Sequence, residues 1–341
     1  MTQTNSSLTT APPQITASAA ARLAAEHFGL FGTLTRLTSE RDLNFRIEGP
    51  EGAHVVKIAN AQEPHEVTRF QTEALLHLHS TAPDLPVPRL RRTVTGATEV
   101  ILPGGEMLRA LTYLQGQPMH AAPHPPAQRI AMGQMAARLT KGLQGFAHPA
   151  AGHRLQWDIR HAADLAPLLP QIADADLRSL ATATLERFVA HVAPRLKDCR
   201  WQVVHNDLNP HNVLVDPADP AIISGILDFG DMVETPLVCD LGVAASYQLD
   251  PADAAASLAA FTAAYDTELP LTDTELSLVA DLTQARMLTT LAIASWRASL
   301  YPDNAPYILR NVPSAQAGLA ALAAVPPEAL TETIARACGR T

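Results

Sequence analysis

Cysteine is scarce in this chain. Cys199, Cys239 and Cys338 are its only three, scattered and without C-x-x-C spacing. That excludes a disulfide framework and fits a reducing, cytoplasmic setting. Positive charge is also in short supply: 25 Lys and Arg face 34 Asp and Glu, for a net charge of −9. Such a balance argues against nucleic acid or an anionic membrane as partner. It suits a cationic substrate, although solubility alone accounts for it as simply. Long apolar runs are missing. The most apolar candidate, residues 287–296, is bounded by Arg286 and Arg297 and reads as a buried helix rather than a membrane span. The start is Thr/Ser/Pro-rich with no basic cluster or apolar run, so residues 1–16 are expected to form a disordered tail, not a signal peptide. No internal repeat is found.

What is present points to a sizeable enzyme. With 47% hydrophobic residues in 341, the chain has apolar content for a large core but is long for a single one, which predicts two lobes. The pattern is strand-rich first and helix-rich later. A helix is expected over 17–28, then strands around 32–37, 44–47 and 53–58. Residues 66–79 carry Val67, Phe70, Ala74, Leu75 and Leu78 at a helical period. The Pro-rich stretch 82–90 ends that helix and leads to strands around 91–95, 99–102 and 107–114. Residues 117–128 hold four prolines and read as a loop after a lobe junction. Helical patterns follow at 130–143, 177–192, 252–265, 275–300 and 314–324. The expected fold is α+β and bilobal, a small β-rich lobe over 17–114 and a larger, mostly helical lobe over 115–341.

Residues 204–231, VHNDLNPHNVLVDPADPAIISGILDFGD, carry the chemistry. Asp207 lies two residues after His205, Asn212 five after Asp207, and Asp228 ends a later apolar strand at DFG. Strands are expected at 201–204, 213–215 and 222–227, with turns at Asn209-Pro210 and over 216–220. That hairpin brings Asp207, Asn212 and Asp228 to one edge. A phosphotransferase of the protein-kinase kind needs this set: one carboxylate to orient a hydroxyl, an amide and a second carboxylate for Mg²⁺ on nucleotide phosphates. Mg²⁺ takes hard oxygen ligands and keeps several waters, so Asn212, Asp228 and phosphate oxygens are a sufficient supply. The bland alternative is a hairpin with turn-capping carboxylates and a packed His205. A transition-metal site from His205, Asp207 and His211 is the other alternative, and it lacks a completing second cluster.

In the first lobe, Lys57 lies near the end of the apolar strand HVVKI and Glu73 lies in the helical segment QTEALLHLH. A strand lysine paired to a helix glutamate grips α and β phosphates as a positioned charge. Glu66 is the competing partner, and solvated surface positions for both are the plain alternative.

Taken together these residues resemble the aminoglycoside phosphotransferase/choline kinase-like family of small-molecule kinases, over roughly residues 20–325. The resemblance implies a bilobal protein kinase-like fold, with a nucleotide-binding first lobe and a catalytic, substrate-binding second lobe. It assigns the catalytic loop to His205, Asp207 and Asn212, the metal-binding Asp to Asp228, and the strand lysine and helix glutamate to Lys57 and Glu73. It also assigns the adenine-facing hinge to Thr112, Tyr113 and Leu114, and the buried brace of the catalytic loop to Asp240, a role compatible with a helix N-cap. SERDLNF (39–45), LQWDIRHAADL (155–165), DFGD with the segment after it, and LYPDNAPYI (300–308) resemble the hydroxylysine kinase-like branch.

Two departures stand out. Asn206 replaces the Gly common between His and Asp, and it tolerates the same turn geometry. The nucleotide loop SERDLN lacks glycine, so phosphate contact there relies on Ser39, Arg41, Asn44 and backbone amides. The expected reaction moves the γ-phosphoryl of ATP, or GTP, to a hydroxyl of an amino alcohol or hydroxy-amino acid, with Mg²⁺. Asp158, Asp231 and Glu234 are candidates for the substrate ammonium, Arg286 for a substrate carboxylate, and Trp157 and Trp296 for the pocket wall. Aminoglycoside O-phosphorylation ranks second, since the ACGRT end lacks the acidic and aromatic residues that help build an antibiotic cleft. A non-catalytic nucleotide-binding pseudokinase is disfavoured because Lys57, Asp207, Asn212 and Asp228 are all present.

Overall fold

The computed structural model describes residues 13–39 and 42–340. The chain divides into two compact units, Met1–Gln115 and Gly116–Thr341.

The first unit opens with α1 (Ala17–Phe28). Thr16 caps it, its hydroxyl accepting from the Ala19 N–H at 3.2 Å, and Gly29 ends it at a left-handed φ of 65°. Ala20, Ala24 and Phe28, one turn apart, form its buried stripe. The sheet that follows comprises β1 (Thr33–Leu37), β2 (Leu43–Gly49), β3 (Gly52–Ile58), then, after α2 (His65–Thr81), β4 (Leu90–Arg91), β5 (Val100–Ile101) and β6 (Met107–Thr112). The strand order is β1-β2-β3-β6-β4, all pairs antiparallel, with β5 also on β6. Alternation decides which side chains reach the core. Leu43, Phe45 and Ile47 of β2 and Val56 and Ile58 of β3 meet Ala20, Ala24 and Phe28 of α1. Lys57 stands between Val56 and Ile58 and so belongs to the opposite face, directly across from Asn44 on β2 and Arg109 on β6.

The second unit contains a short β7 (Gln117–Pro118), α3 (Pro126–Gly142), a 3₁₀ segment Ile159–Gln171 and α4 (Ala175–Arg187). Then come β8 (Trp201–Val204), β9 (Val213–Val215), β10 (Ile223–Ile226) and β11 (Val233–Pro236). Helices α5 (Leu237–Ser246), α6 (Ala254–Glu268), α7 (Asp273–Leu300), α8 (Ala305–Ile308), α9 (Val312–Ala323) and α10 (Pro327–Ala337) complete it. Two small sheets, β10-β9-β7 and β11-β8, hold the catalytic segment. α7 starts on a capping box, Thr272 with Glu275, and nearly every residue from Glu275 to Ala294 is buried. Such a helix, covered on all sides, is the axis of its unit. α5 is buried throughout and approaches α7 at Gly242. A Cβ there would lie 2.9 Å from Leu282 Cβ and 3.0 Å from its carbonyl carbon, so only glycine permits the contact.

The helix expected over 177–192 stops at Arg187, and Phe188–Val192 widens into a π turn before Pro194, which has no N–H to continue the ladder. No described helix is long and apolar enough to cross a membrane.

Candidate active site

β8 delivers His205, Asn206 and Asp207 to the turn expected of them. Asn206 is fully buried with φ of 63°, the left-handed backbone that the Asn-for-Gly substitution has to tolerate. Its N–H donates to Asp240 Oδ1 on α5 at 2.7 Å. His205 is tied on both ring nitrogens: Nε2 donates to the Leu227 carbonyl at 2.9 Å, and Nδ1 accepts from the Asp207 N–H at 3.3 Å. Those partners place a proton on Nε2. The ring also meets Phe229 edge-on at 4.9 Å.

The Asp207 carboxylate is held on both oxygens. Oδ2 accepts from Asn212 Nδ2 at 2.7 Å and Asn209 Nδ2 at 2.8 Å, while Oδ1 accepts from Arg286 at 3.0 Å. Asn212 Nδ2 also reaches the Asp207 carbonyl at 3.1 Å. With Nδ2 committed to these acceptors, Oδ1 is the atom of Asn212 left for a cation. The Leu227 N–H donates to the Asn212 carbonyl at 2.7 Å, which ties the strand end carrying Asp228 to the loop carrying Asp207. Asp228 is exposed, at φ of 55°, with one oxygen accepting from the Gly230 N–H at 3.1 Å. One carboxylate and one amide oxygen, with phosphate and water to complete the shell, fit the hard-oxygen preference of Mg²⁺. Among the described residues no cluster of three His, Cys, Asp or Glu is arranged to hold a metal ion. His205, bound to Leu227 and Asp207, accordingly reads as structural.

Asp240 is buried, and burial pushes its carboxyl up from the ordinary 3.8 to about 6, against the pull of His205 and of the Asn206 N–H. Arg286 on α7 is also buried. Burial works against its charge, but Tyr247 and Asp207 outweigh it and hold the guanidinium above its usual range. Its remaining donors go to the Tyr247 hydroxyl, at 3.0 and 3.3 Å, and to the Trp157 carbonyl at 3.3 Å. The Trp157 and Tyr247 rings lie 5.2 and 5.6 Å from its central carbon.

The three acidic candidates for a substrate amine are placed differently. Asp158 is buried, caps the 3₁₀ segment after it through the Arg160 N–H, accepts from Thr235 Oγ1 at 3.1 Å and pairs with Arg160 Nε at 2.9 Å. Both its oxygens are thus engaged inside the protein. Asp231 is half-buried and within electrostatic reach of Arg286. Glu234 is exposed on β11, opposite Val203.

In the first unit, Lys57 Nζ lies 4.0 Å from Asp42 Oδ2, and the Asp42 N–H donates to Ser39 Oγ at 3.3 Å. Asn44, across from Lys57, has its Oδ1 buried without a hydrogen-bond partner among the described residues. Arg41 lies outside the described residues. Glu73 is exposed on α2. At the hinge positions, the Thr112 N–H donates to the Arg89 carbonyl and the Tyr113 N–H to the Ala53 carbonyl, leaving Leu114 as the hinge residue whose N–H these sheet bonds do not use.

Sequence reasoning missed Asp42, Asn209 and Tyr247. Asn209 had a signal, since an Asn two residues past an Asp in a turn is within reach of its carboxylate. His211, weighed above as a transition-metal ligand, instead packs its half-buried ring on His120 at 4.0 Å, and burial, His120 and Arg310 lower its pKa.

The chain is similar to several known proteins. A hydroxylysine kinase of Mus musculus is 27% identical over 329 residues, covering 88% of this chain and 87% of the relative. One from Xenopus laevis is 29% identical over 304 residues, 80% of each. Among solved structures, a microcompartment-associated aminopropanol kinase superposes with a TM-score of 0.68 at 18% identity, covering 93% of this chain and 98% of that one. An amicoumacin kinase in complex with AMP-PNP, Ca²⁺ and Ami gives a TM-score of 0.64 at 14% identity, over 88% and 93% of the two chains. These two likenesses establish a shared fold. The family model described as the phosphotransferase enzyme family matches residues 33–276, most of the chain, and to that family the protein belongs.

Proposed function

We propose that this phosphotransferase is a small-molecule kinase that moves the γ-phosphoryl of ATP or GTP to the hydroxyl of an amine-bearing acceptor, a hydroxy-amino acid of the hydroxylysine kind or a small amino alcohol. The observation that carries it is the triply hydrogen-bonded Asp207 carboxylate, joined through Asn212 and Leu227 to the exposed Asp228. Relatives named hydroxylysine kinase, matched over most of both chains, support the acceptor class.

Each residue then has a task. Asp207 accepts a hydrogen bond from the acceptor hydroxyl and aims its oxygen at the phosphorus. Positioning and charge stabilisation supply most of the catalysis in phosphoryl transfer. Asn212 Oδ1 and Asp228 hold Mg²⁺, which neutralises charge on the phosphates when bound. In the first unit, the nucleotide-binding one, Lys57 supplies positive charge to the phosphates, held by Asp42, with Glu73 on α2 as the expected helix partner. Ser39 and Asn44 contact the phosphates, a task the sequence motif also gives Arg41, and the carbonyls of Thr112 and Tyr113 with the Leu114 N–H contact the base. Asp231 and Glu234 replace the water lost by the substrate ammonium. Asp240 and His205 brace the loop.

The test is turnover of purified protein with Mg²⁺ and ATP or GTP against hydroxylysine, ethanolamine, choline, homoserine and kanamycin, read as nucleoside diphosphate release. Phosphorylation of hydroxylysine or an amino alcohol is the expected result. Exclusive activity on kanamycin, or nucleotide binding without turnover of any acceptor, overturns the proposal.

A further inference from the structure

Resting on that transferase reading, we infer that Arg286 is a positioning residue for Asp207 rather than an anchor for a substrate carboxylate. A guanidinium has five N–H donors in a fixed fork. Its Nε–H goes to the Tyr247 hydroxyl, one NH1 hydrogen to the Trp157 carbonyl, and the NH2 group to both Asp207 Oδ1 and Tyr247. One NH1 hydrogen remains, too few for the paired N–H contact by which arginine grips a carboxylate. The side chain is also buried, 4% exposed, whereas that of Asp207 is 18% exposed. The carboxylate, not the guanidinium, meets whatever enters the site.

The support around Arg286 is built for rigidity. Tyr247 closes α5, Trp157 precedes the 3₁₀ segment, and Arg286 sits in the middle of α7, so three separate elements converge on one planar group. Two aromatic rings flank it. On the other side, Asn209 and Asn212 fix Oδ2 from within the loop. The carboxylate is thereby denied rotation about its own axis and keeps one direction open for an acceptor hydroxyl. Loop bonds alone set the position of Asp207 within its turn. The bond from Arg286 sets its orientation against the rest of the unit, which the acceptor must also contact.

Arg286→Ala and Tyr247→Phe test this in the full chain. In Arg286→Ala, kcat should fall about 100-fold, the scale of a misplaced reacting group, with nucleotide Kd and acceptor KM little changed. Guanidinium ion at millimolar concentration, far below denaturing levels, should enter the vacated slot between the rings and recover about tenfold of the lost kcat. A purely structural role gives no such rescue. Tyr247→Phe keeps the ring, loses the hydroxyl brace, and should lower kcat about tenfold at unchanged acceptor KM. If Arg286→Ala does not fold, this second variant decides, and wild-type kcat in it overturns the inference. So do unchanged kcat in Arg286→Ala, a raised acceptor KM at constant kcat, or a lost kcat that guanidinium does not lift. A wild-type enzyme that phosphorylates no acceptor overturns the transferase reading and this inference with it. An active wild type beside a fully active Arg286→Ala overturns this inference alone.

Discussion

Replacing Asp240 with Asn should stabilise the protein near neutrality while sparing the loop it supports. Asp240 is 1% exposed, and burial raises its carboxyl from 3.8 to about 6. A raised acid favours the folded state only in its protonated form. The contribution is fully present below about pH 3.8 and is lost as the pH climbs through about 6. Going from 3.8 to about 6, at about 1.4 kcal/mol per pH unit, costs about 3 kcal/mol by neutral pH. Asn cannot ionise, yet it keeps an oxygen for the Asn206 N–H that Asp240 Oδ1 accepts at 2.7 Å. Urea unfolding of wild type and Asp240→Asn at about pH 4 and about pH 7 should show the stability difference moving by about 2 kcal/mol in favour of Asn at the higher pH. A difference that does not change with pH refutes the reasoning. Asp240→Ala is the contrasting arm. It orphans the buried N–H of Asn206, the residue held at φ of 63°, at a cost of about 1–3 kcal/mol, and should lower kcat where Asp240→Asn does not.

Asp207→Asn should lower kcat about 10²–10⁴-fold with nucleotide affinity unchanged by titration calorimetry, and near wild-type turnover would remove Asp207 from the mechanism. Asp228→Ala should weaken turnover and Mg²⁺-dependent nucleotide binding together; coincident Mg²⁺ titration curves for mutant and wild type would make Asp228 structural. Asp231→Asn should raise the KM of an amine acceptor about tenfold, about 1.4 kcal/mol, leaving the KM for ATP alone. An unchanged KM for every amine would shift the ammonium site toward Glu234.

What was legible in the sequence is what is local. His205, Asp207, Asn209 and Asn212 bond within a few residues of one another, so their spacing records their geometry. The apolar runs at 201–204, 213–215 and 222–227 were sufficient to place β8, β9 and β10. Alternation in β2 and β3 likewise gave the first sheet. Long-range closures leave no such trace. Arg286 reaches Asp207 across 79 positions, and the apolar neighbours that bury it look the same whether it faces substrate or carboxylate. Asp158 is a candidate by its position in the sequence alone. Its partners Arg160 and Thr235 come from the adjacent segment and from β11, a strand not anticipated between DFG and the next helix. The 3₁₀ segment Ile159–Gln171 buries Ile159, Ala162, Leu165 and Leu169 at near-helical spacing, but Pro167 and Pro170 inside it argue against a helix. Helix α10, Pro327–Ala337, was overlooked although Pro326-Pro327 marks its start.

Helix α5 has a consequence for how this enzyme can change its acceptor. It presents Asp240 to the backbone beside Asp207 and, two turns on, Tyr247 to the guanidinium behind the same carboxylate. About 10 Å of rigid rod therefore sets both the loop and its reactive group. Gly242 locks that rod against α7, leaving no slack along it. Asp231 and Glu234 sit before α5, on a 3₁₀ turn and on β11, and His211 meets the segment around Arg310 from the loop side. Substitutions in those outlying positions alter what is held in place without disturbing how its hydroxyl is aimed. A family with one such strut can exchange acceptors by small steps while its phosphoryl-transfer chemistry stays intact, and selection on new substrates should accordingly spare α5 and the Arg286 turn of α7.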